Sequence, residues 1–227
     1  MGRVEKSGAY VRSLAAQRRL LKALIPALVA FFIVAPFLVS LLFQVDVGIF
    51  VYGVCFLAAA WLVFQRKQLE RSARKADKGA LAEEKVSQLL APLRRQGWRV
   101  KPNHMLPNRR SDIDFVLMSP QGKAFAVEVK GHSGRGEIVF DGKQLKIRNG
   151  STLRSFPENK DFLKQVTGNA RALKEAEKLR WVEAVIVFPN SKVSIQTIDN
   201  RVMNVYVVDG SSLVKLLEQL AKSGSER

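Results

Sequence analysis

From Leu20 to Phe64 the chain runs for 45 residues with only two charged side chains, Lys22 and Asp46. Within it, Ala23 to Phe43 is 21 residues without a charge and Val47 to Phe64 is another 18. At a helical rise of about 1.5 Å per residue these runs reach roughly 31 and 27 Å, about the thickness of a bilayer's hydrocarbon core. Only Gln44, Val45 and Asp46 lie between them. Peptide groups in lipid must be paired within the segment. The pattern therefore predicts a transmembrane helical hairpin over 20–64 (about 20–43 and 47–64), with Pro26 and Pro36 placed to kink the first helix. A cleaved signal peptide fits less well, because the first apolar run is too long and a second follows at once. A buried hairpin of a soluble protein is disfavoured by the same lengths.

Charge predicts the orientation. Arg3, Lys6, Arg12, Arg18, Arg19 and Lys22 precede or enter the hairpin, Arg66, Lys67, Arg71, Arg74, Lys75 and Lys78 follow it, and the turn carries no basic residue. Positive charge stays on the cytoplasmic side, so both termini are expected in the cytoplasm, at the cell (inner) membrane in a multi-pass arrangement. The expected organisation is a basic cytoplasmic segment 1–19, the hairpin 20–64, a basic juxtamembrane linker 65–78 and a soluble domain 79–227. The linker is read as a helical continuation of the second span or a short tether. The whole chain has 37 Lys+Arg against 20 Asp+Glu, a net charge of +17. These patterns exclude a disordered chain and an ordinary cytosolic monomer. Cys55 is the single cysteine, which excludes an intrachain disulfide and a Cys-rich zinc site.

The soluble part reads as mixed α/β. Gly79 to Gln96 has Ala82, Val86, Leu89, Leu90 and Leu93 at helical spacing. A short strand is expected over 98–103. Hairpins are expected over 112–118 and 123–130 around Ser119–Gly122, and over 137–140 and 144–148 around Asp141-Gly142. A polar stretch over 149–158 leads to a long helix over 159–180, then strands over 181–188 and 205–208 and an amphipathic helix over 211–222.

Chemistry concentrates in the first hairpin. Side chains alternate along a strand, so Glu128 and Lys130 point to one side and Val129 to the other. Asp114, near the start of the partner strand, is expected opposite the end of the second strand, close to Glu128. Two carboxylates and an ammonium suit phosphodiester hydrolysis: oxygen ligands hold Mg²⁺ (or Mn²⁺), which polarises the phosphate and eases ionisation of water, while lysine offsets developing charge. Spacing alone also fits edge charges where a strand meets water, since acid-x-Lys recurs at Glu83/Lys85, Asp141/Lys143 and Glu158/Lys160. Glu83 lies on the margin of its helix's apolar stripe and can point toward the carboxylates, or it complements the helix dipole. Gln165 and Asn169 share the apolar face of Phe162, Val166 and Leu173, where amides need partners. Their own backbone or a nucleic-acid strand would supply them.

Four blocks, Gly79-Ala-Leu-Ala-Glu83-Glu-Lys-Val86, Asp112-Ile-Asp114-Phe-Val, Phe125-Ala-Val-Glu128-Val-Lys130-Gly-His-Ser-Gly134 and Gln165-x-x-x-Asn169, resemble the NERD (nuclease-related) domain of the PD-(D/E)XK nuclease superfamily. The resemblance covers roughly 77–190. It implies a restriction-endonuclease-like mixed sheet flanked by helices, with Asp114 and Glu128 as metal ligands and the Val129 carbonyl as a third. It further implies Lys130 as catalytic lysine, Glu83 as helix-borne acid and Gln165 as a supporting polar residue. Ala82 stands where the family often has Gly, and Gly131-His132 where a polar-aromatic pair is common.

Arg109 and Arg110 precede the first acidic strand, and Arg135, Lys143, Lys146, Arg148 and Arg154 follow Lys130. Basic residues flanking an acidic metal centre suit a polyanion, so these and Asn169 are the expected nucleic-acid contacts, with DNA as the expected partner. Residues 66–78 are read instead as facing anionic lipid. His104 and His132 complete no metal set, with His132 a candidate phosphate contact or a solvated loop residue. The leading expectation is a membrane-anchored, metal-dependent nuclease at the cytoplasmic face. The alternatives are a non-catalytic nucleic-acid tether using the same fold, and a membrane interaction protein.

Overall fold

The computed structural model describes residues 4–44, 46, 48–106, 112–132, 136–156, 161–197 and 201–223. The chain divides into two units, Met1–Lys75 and Ala76–Arg227. In the first, helix α1 spans Val4–Phe43 and helix α2 begins at Ile49. Ala23–Phe43 of α1 and helix α2 are both long and apolar enough to cross a membrane. Large apolar side chains such as Phe31, Phe37, Leu41, Phe50, Phe56 and Trp61 point outward. Phe37 of α1 meets Tyr52 of α2 edge-on, with ring centroids 5.1 Å apart.

α2 continues without interruption to Arg95, so residues 65–78 are helical and the expected helix 79–96 is its last part. Pro92 lies inside it. The chain then enters a mixed six-stranded sheet. Its strands are β1 (Arg99–Met105), β2 (Asp112–Met118), β3 (Ala124–Val129), β7 (Val182–Phe188), β10 (Val205–Asp209) and β9 (Arg201–Val202), in the order β1-β2-β3-β7-β10-β9. β1, β2 and β3 are antiparallel neighbours, whereas β3, β7 and β10 run parallel. A smaller sheet, β6-β5-β4-β8, is formed by β4 (Glu137–Phe140), β5 (Leu145–Asn149), β6 (Thr152–Ser155) and β8 (Lys192–Val193). Helices α3 (Phe162–Ala176) and α4 (Leu213–Lys222) complete the fold.

Strand periodicity sorts the core into two layers. Ala124, Ala126, Ala184, Ile186 and Val207 face Leu163, Val166, Ala170 and Leu173 of α3 and the buried residues of the small sheet. Phe125, Val127, Val129, Val185 and Val187 face Ala82, Val86, Leu90 and Leu93 of α2, with Leu213 and Leu217 of α4. The parallel strands are buried on both faces, which is why they read as apolar runs rather than alternations.

α3 is shorter than the expected 159–180. Asp161 Oδ1 caps its start by accepting from Lys164 N at 3.1 Å. Lys178 takes positive φ just past its end, and Leu179 N donates back to Lys174 O at 2.9 Å. β6 is a strand within the expected polar stretch 149–158, paired with β5 around Gly150, whose φ is +58°.

Gly131 has a packing requirement. A Cβ there would lie 2.8 Å from Lys78 O and 3.2 Å from Ala82 Cβ, so only glycine lets α2 pass this close to the chain leaving β3. Gly131→Ala should cost about 1–3 kcal/mol by forcing that helix away, seen as a lower melting temperature of the full chain in detergent.

Candidate functional site

The site forms where β2 and β3 part. Their register pairs Phe115 with Val127, and one further step sets Asp114 opposite Glu128. There the main-chain ladder gives way to a side chain: Val129 N donates to Asp114 Oδ2 at 2.6 Å. Glu128 continues the row of Ala124 and Ala126 toward α3 and is only 5% exposed. A buried carboxylate needs donors, and α3 supplies them. Gln165 Nε2 donates to Glu128 Oε1 at 2.6 Å and Asn169 Nδ2 to Oε2 at 3.3 Å. Lys130 Nζ donates to the same Oε1 at 2.8 Å and to Gln165 Oε1 at 3.2 Å. The Lys130 ammonium also lies 4.7 Å from the centre of the Phe162 ring, a cation–π contact. Gln165 and Asn169, two amides one helical turn apart, thus find their partner in Glu128.

Negative charge accumulates around this network. Burial, then the Glu128 carboxylate, push Asp114 up to about 7 against the opposing hydrogen bond from Val129 and the charge of Lys130. Glu83, arriving on α2 from the other layer, is raised by burial and then by Asp112 and Glu128. Three acids, Glu83, Asp114 and Glu128, thus feel one another at the carboxyl end of β3. Among the described residues, no group of three or more His, Cys, Asp or Glu stands in metal-holding geometry. A cation here would be held by two carboxylates, the Val129 carbonyl and water, an all-oxygen set suited to Mg²⁺. The fit is electrostatic: a divalent ion between Asp114 and Glu128 would offset both the burial of the Asp114 carboxylate and, after it, its repulsion by Glu128, the two causes that raise Asp114.

The family model of the nuclease-related domain, NERD, matches residues 78–189. The chain carries a NERD domain. No curated protein and no solved structure matches the chain. The matched residues run from the end of α2 through β7, and so contain every acid, amide and lysine of this network.

Around the NERD site, the expected basic contacts are distributed unevenly. Arg109, Arg110 and Arg135 lie outside the described residues. Lys146 pairs with Asp141 at 3.0 Å, and Arg148 pairs with Glu137. Much of the small sheet's positive charge is therefore offset by its own acids. Lys143 and Arg154 are exposed, Arg154 on the edge strand β6. Asn169 is 2% exposed and turned into the domain, where its amide donates to Glu128. The His132 ring packs edge-on against Phe156, and its pKa is lowered by burial and then by Lys78. It is half-buried rather than solvated. His104 lies 3.6 Å from Glu177, away from the network.

Two members of the NERD site were not picked out from the sequence. Asp112, two residues before Asp114 on the same strand face, acts on Glu83, and period-two spacing was the available signal. Phe162 underlies the Lys130 ammonium, and only the packing of α3 against β3 brings it there.

Proposed function

We propose that the NERD domain is a divalent-metal-dependent nuclease that hydrolyses phosphodiester bonds of nucleic acid, with DNA as the expected substrate, and that the two apolar helices anchor it in the cell membrane facing the cytoplasm. The observation that carries this reading is the forced proximity of Asp114 and Glu128 beside Lys130. Placing two like charges together at a strand end is costly unless a cation or proton joins them. Asp114, Glu128 and the Val129 carbonyl would hold Mg²⁺, which when bound supplies Lewis-acid polarisation of the phosphate. Lys130, fixed by Glu128, Gln165 and Phe162, presents a positive charge where the phosphate's non-bridging oxygens gain negative charge. Gln165 and Asn169 orient Glu128, and Glu83 adds a second-layer acid from α2. The membrane reading is supported by the outward-facing apolar side chains of both helices and by basic flanks with an uncharged-to-acidic turn.

A non-catalytic nucleic-acid tether is favoured by one observation: both oxygens of Glu128 already accept hydrogen bonds from protein donors. The test is the full chain in detergent micelles, incubated with circular DNA, linear DNA and RNA plus Mg²⁺ or Mn²⁺. Cleavage is expected from the wild type and is expected to vanish with EDTA, with Asp114→Ala and with Lys130→Ala. Binding that is equal in all three proteins, without cleavage by any, would transfer the conclusion to the tether.

A further inference from the structure

β3, β7 and β10 are parallel neighbours, and their carboxyl ends are nearly in step: Val129 pairs with Val187 and Asp209 with Phe188. The ends of adjacent parallel strands are where open α/β sheets place ligands. Beyond β7 and β10 lies a cleft of about 560 Å³, lined by Lys85, Asn190, Ser191, Lys192 and Ser211 among others. Except for Lys85, these residues lie outside the NERD match. Neighbouring strands are about 4.8 Å apart, so the cleft begins within roughly 5–10 Å of the strand end bearing Glu128 and Lys130.

The cleft is tied to that centre and carries charge of its own. Ser191 Oγ donates to His132 O at 3.1 Å, joining the β7–β8 turn to the segment that leaves Lys130. Lys85 Nζ reaches across from α2 to donate to Pro189 O at 2.7 Å and Asn190 Oδ1 at 2.9 Å. Both acceptors are neutral, and among the described residues Lys85 makes no ion pair, so its positive charge is fixed in place without a direct carboxylate partner. Lys192 projects beside it, 80% exposed and 3.5 Å from Glu137. Asp209, the acid of the cleft, accepts from Ser211 Oγ at 2.6 Å and Ser212 N at 2.9 Å, so its carboxylate stays ionised and is held toward the start of α4. Gly210 lets the end of β10 pack closely on the β7–β8 turn, since a Cβ there would lie 3.1 Å from Pro189 Cα.

We propose that this cleft is a phosphate subsite for the nucleic-acid strand that passes through the NERD centre, with Lys85 as its fixed cation and Lys192, Asn190 and Ser191 as further donors. The assignment rests on the nuclease reading of that centre. A strand laid along the carboxyl edge from β3 to β10 would put a phosphate about one to three nucleotides from the scissile bond into the cleft, at 3.4 Å rise per nucleotide. The subsite reads backbone charge rather than base identity, because lysine and amide donors carry no base pattern.

The experiment measures binding of fluorescent single-stranded oligonucleotides, lengthened one nucleotide at a time, to the full chain in detergent with EDTA present. Wild-type affinity should step up when the strand becomes long enough to enter the cleft. Lys85→Ala should abolish that step, raising Kd for long strands about tenfold and making the salt dependence shallower by about 0.7 in log–log slope for the lost contact. Lys85→Arg should keep the step. Asn190→Asp leaves Lys85 an acceptor but places a carboxylate in the cleft, and it should abolish the step as well. If Asn190→Asp binds every length as the wild type does, while the wild type cleaves DNA once Mg²⁺ replaces the EDTA, the subsite is overturned and the nuclease reading survives. If the wild type neither binds nor cleaves any strand, both fall.

Discussion

Asp114→Asn should make the folded chain more stable above pH 7 while removing cleavage. Asp114 is held at about 7, first by burial and then by Glu128, against an ordinary value of 3.8. Between those two values the folded chain keeps a proton that the unfolded chain has released. Stability therefore falls as pH climbs from about 4 to about 7, and the penalty is complete above that window. Asparagine carries no charge to desolvate or repel, and its Oδ1 remains an acceptor for Val129 N. Thermal unfolding in detergent should show wild type and variant converging near pH 4. At pH 8 the variant should lead by on the order of 2–4 kcal/mol. Millimolar Mg²⁺ should raise the melting temperature of the wild type and leave the variant unmoved, since a ligand stabilises only the state that binds it. A variant less stable than the wild type at pH 8 would show that Asp114 bears no such penalty.

The second large effect concerns the other carboxylate. Glu128→Leu has a suitable shape for its row beside Ala126, yet it should destabilise the domain by about 3–5 kcal/mol. The cost comes from what is left behind. Lys130 Nζ, Gln165 Nε2 and Asn169 Nδ2 all lose the acceptor they share beneath α3. Replacing Lys130 as well, in a Glu128→Leu/Lys130→Met double variant, removes the orphaned charge and should recover part of the loss, so the two substitutions will not add. Melting curves of the wild type, Glu128→Leu, Lys130→Met and the double variant give the coupling directly. Strict additivity would mean that Lys130 stands free of Glu128 in solution.

Much of this was readable because it is local. The turns Ser119–Gly122 and Asp141-Gly142 mark their hairpins through residues that only turns demand, and the strands follow within a residue or two. Hairpin register in turn set Asp114 against Glu128, and period two set Lys130 beside it. β6 escaped because Thr152, Arg154 and Ser155 give it no apolar face, although Asn149-Gly150 carried a turn signal. The partner of Gln165 and Asn169 escaped for a different reason. Their amides were visibly in need of acceptors, but Glu128 is 37 and 41 residues away, and only the packing of α3 on β3 brings them together. Lys85 offered no signal at all: its role depends on where the ends of β7 and β10 fall, which no pattern within α2 encodes.

β3 has one more consequence. All six of its residues, Ala124–Val129, are buried, and it is bonded along both edges, to β2 and to β7. Backbone amides in such a strand exchange with solvent deuterium only through openings that approach global unfolding, whereas those of edge strands such as β6 exchange through local fraying. The Glu128 carboxylate is thus mounted on the segment slowest to open, and its geometry persists for as long as the domain itself stays folded.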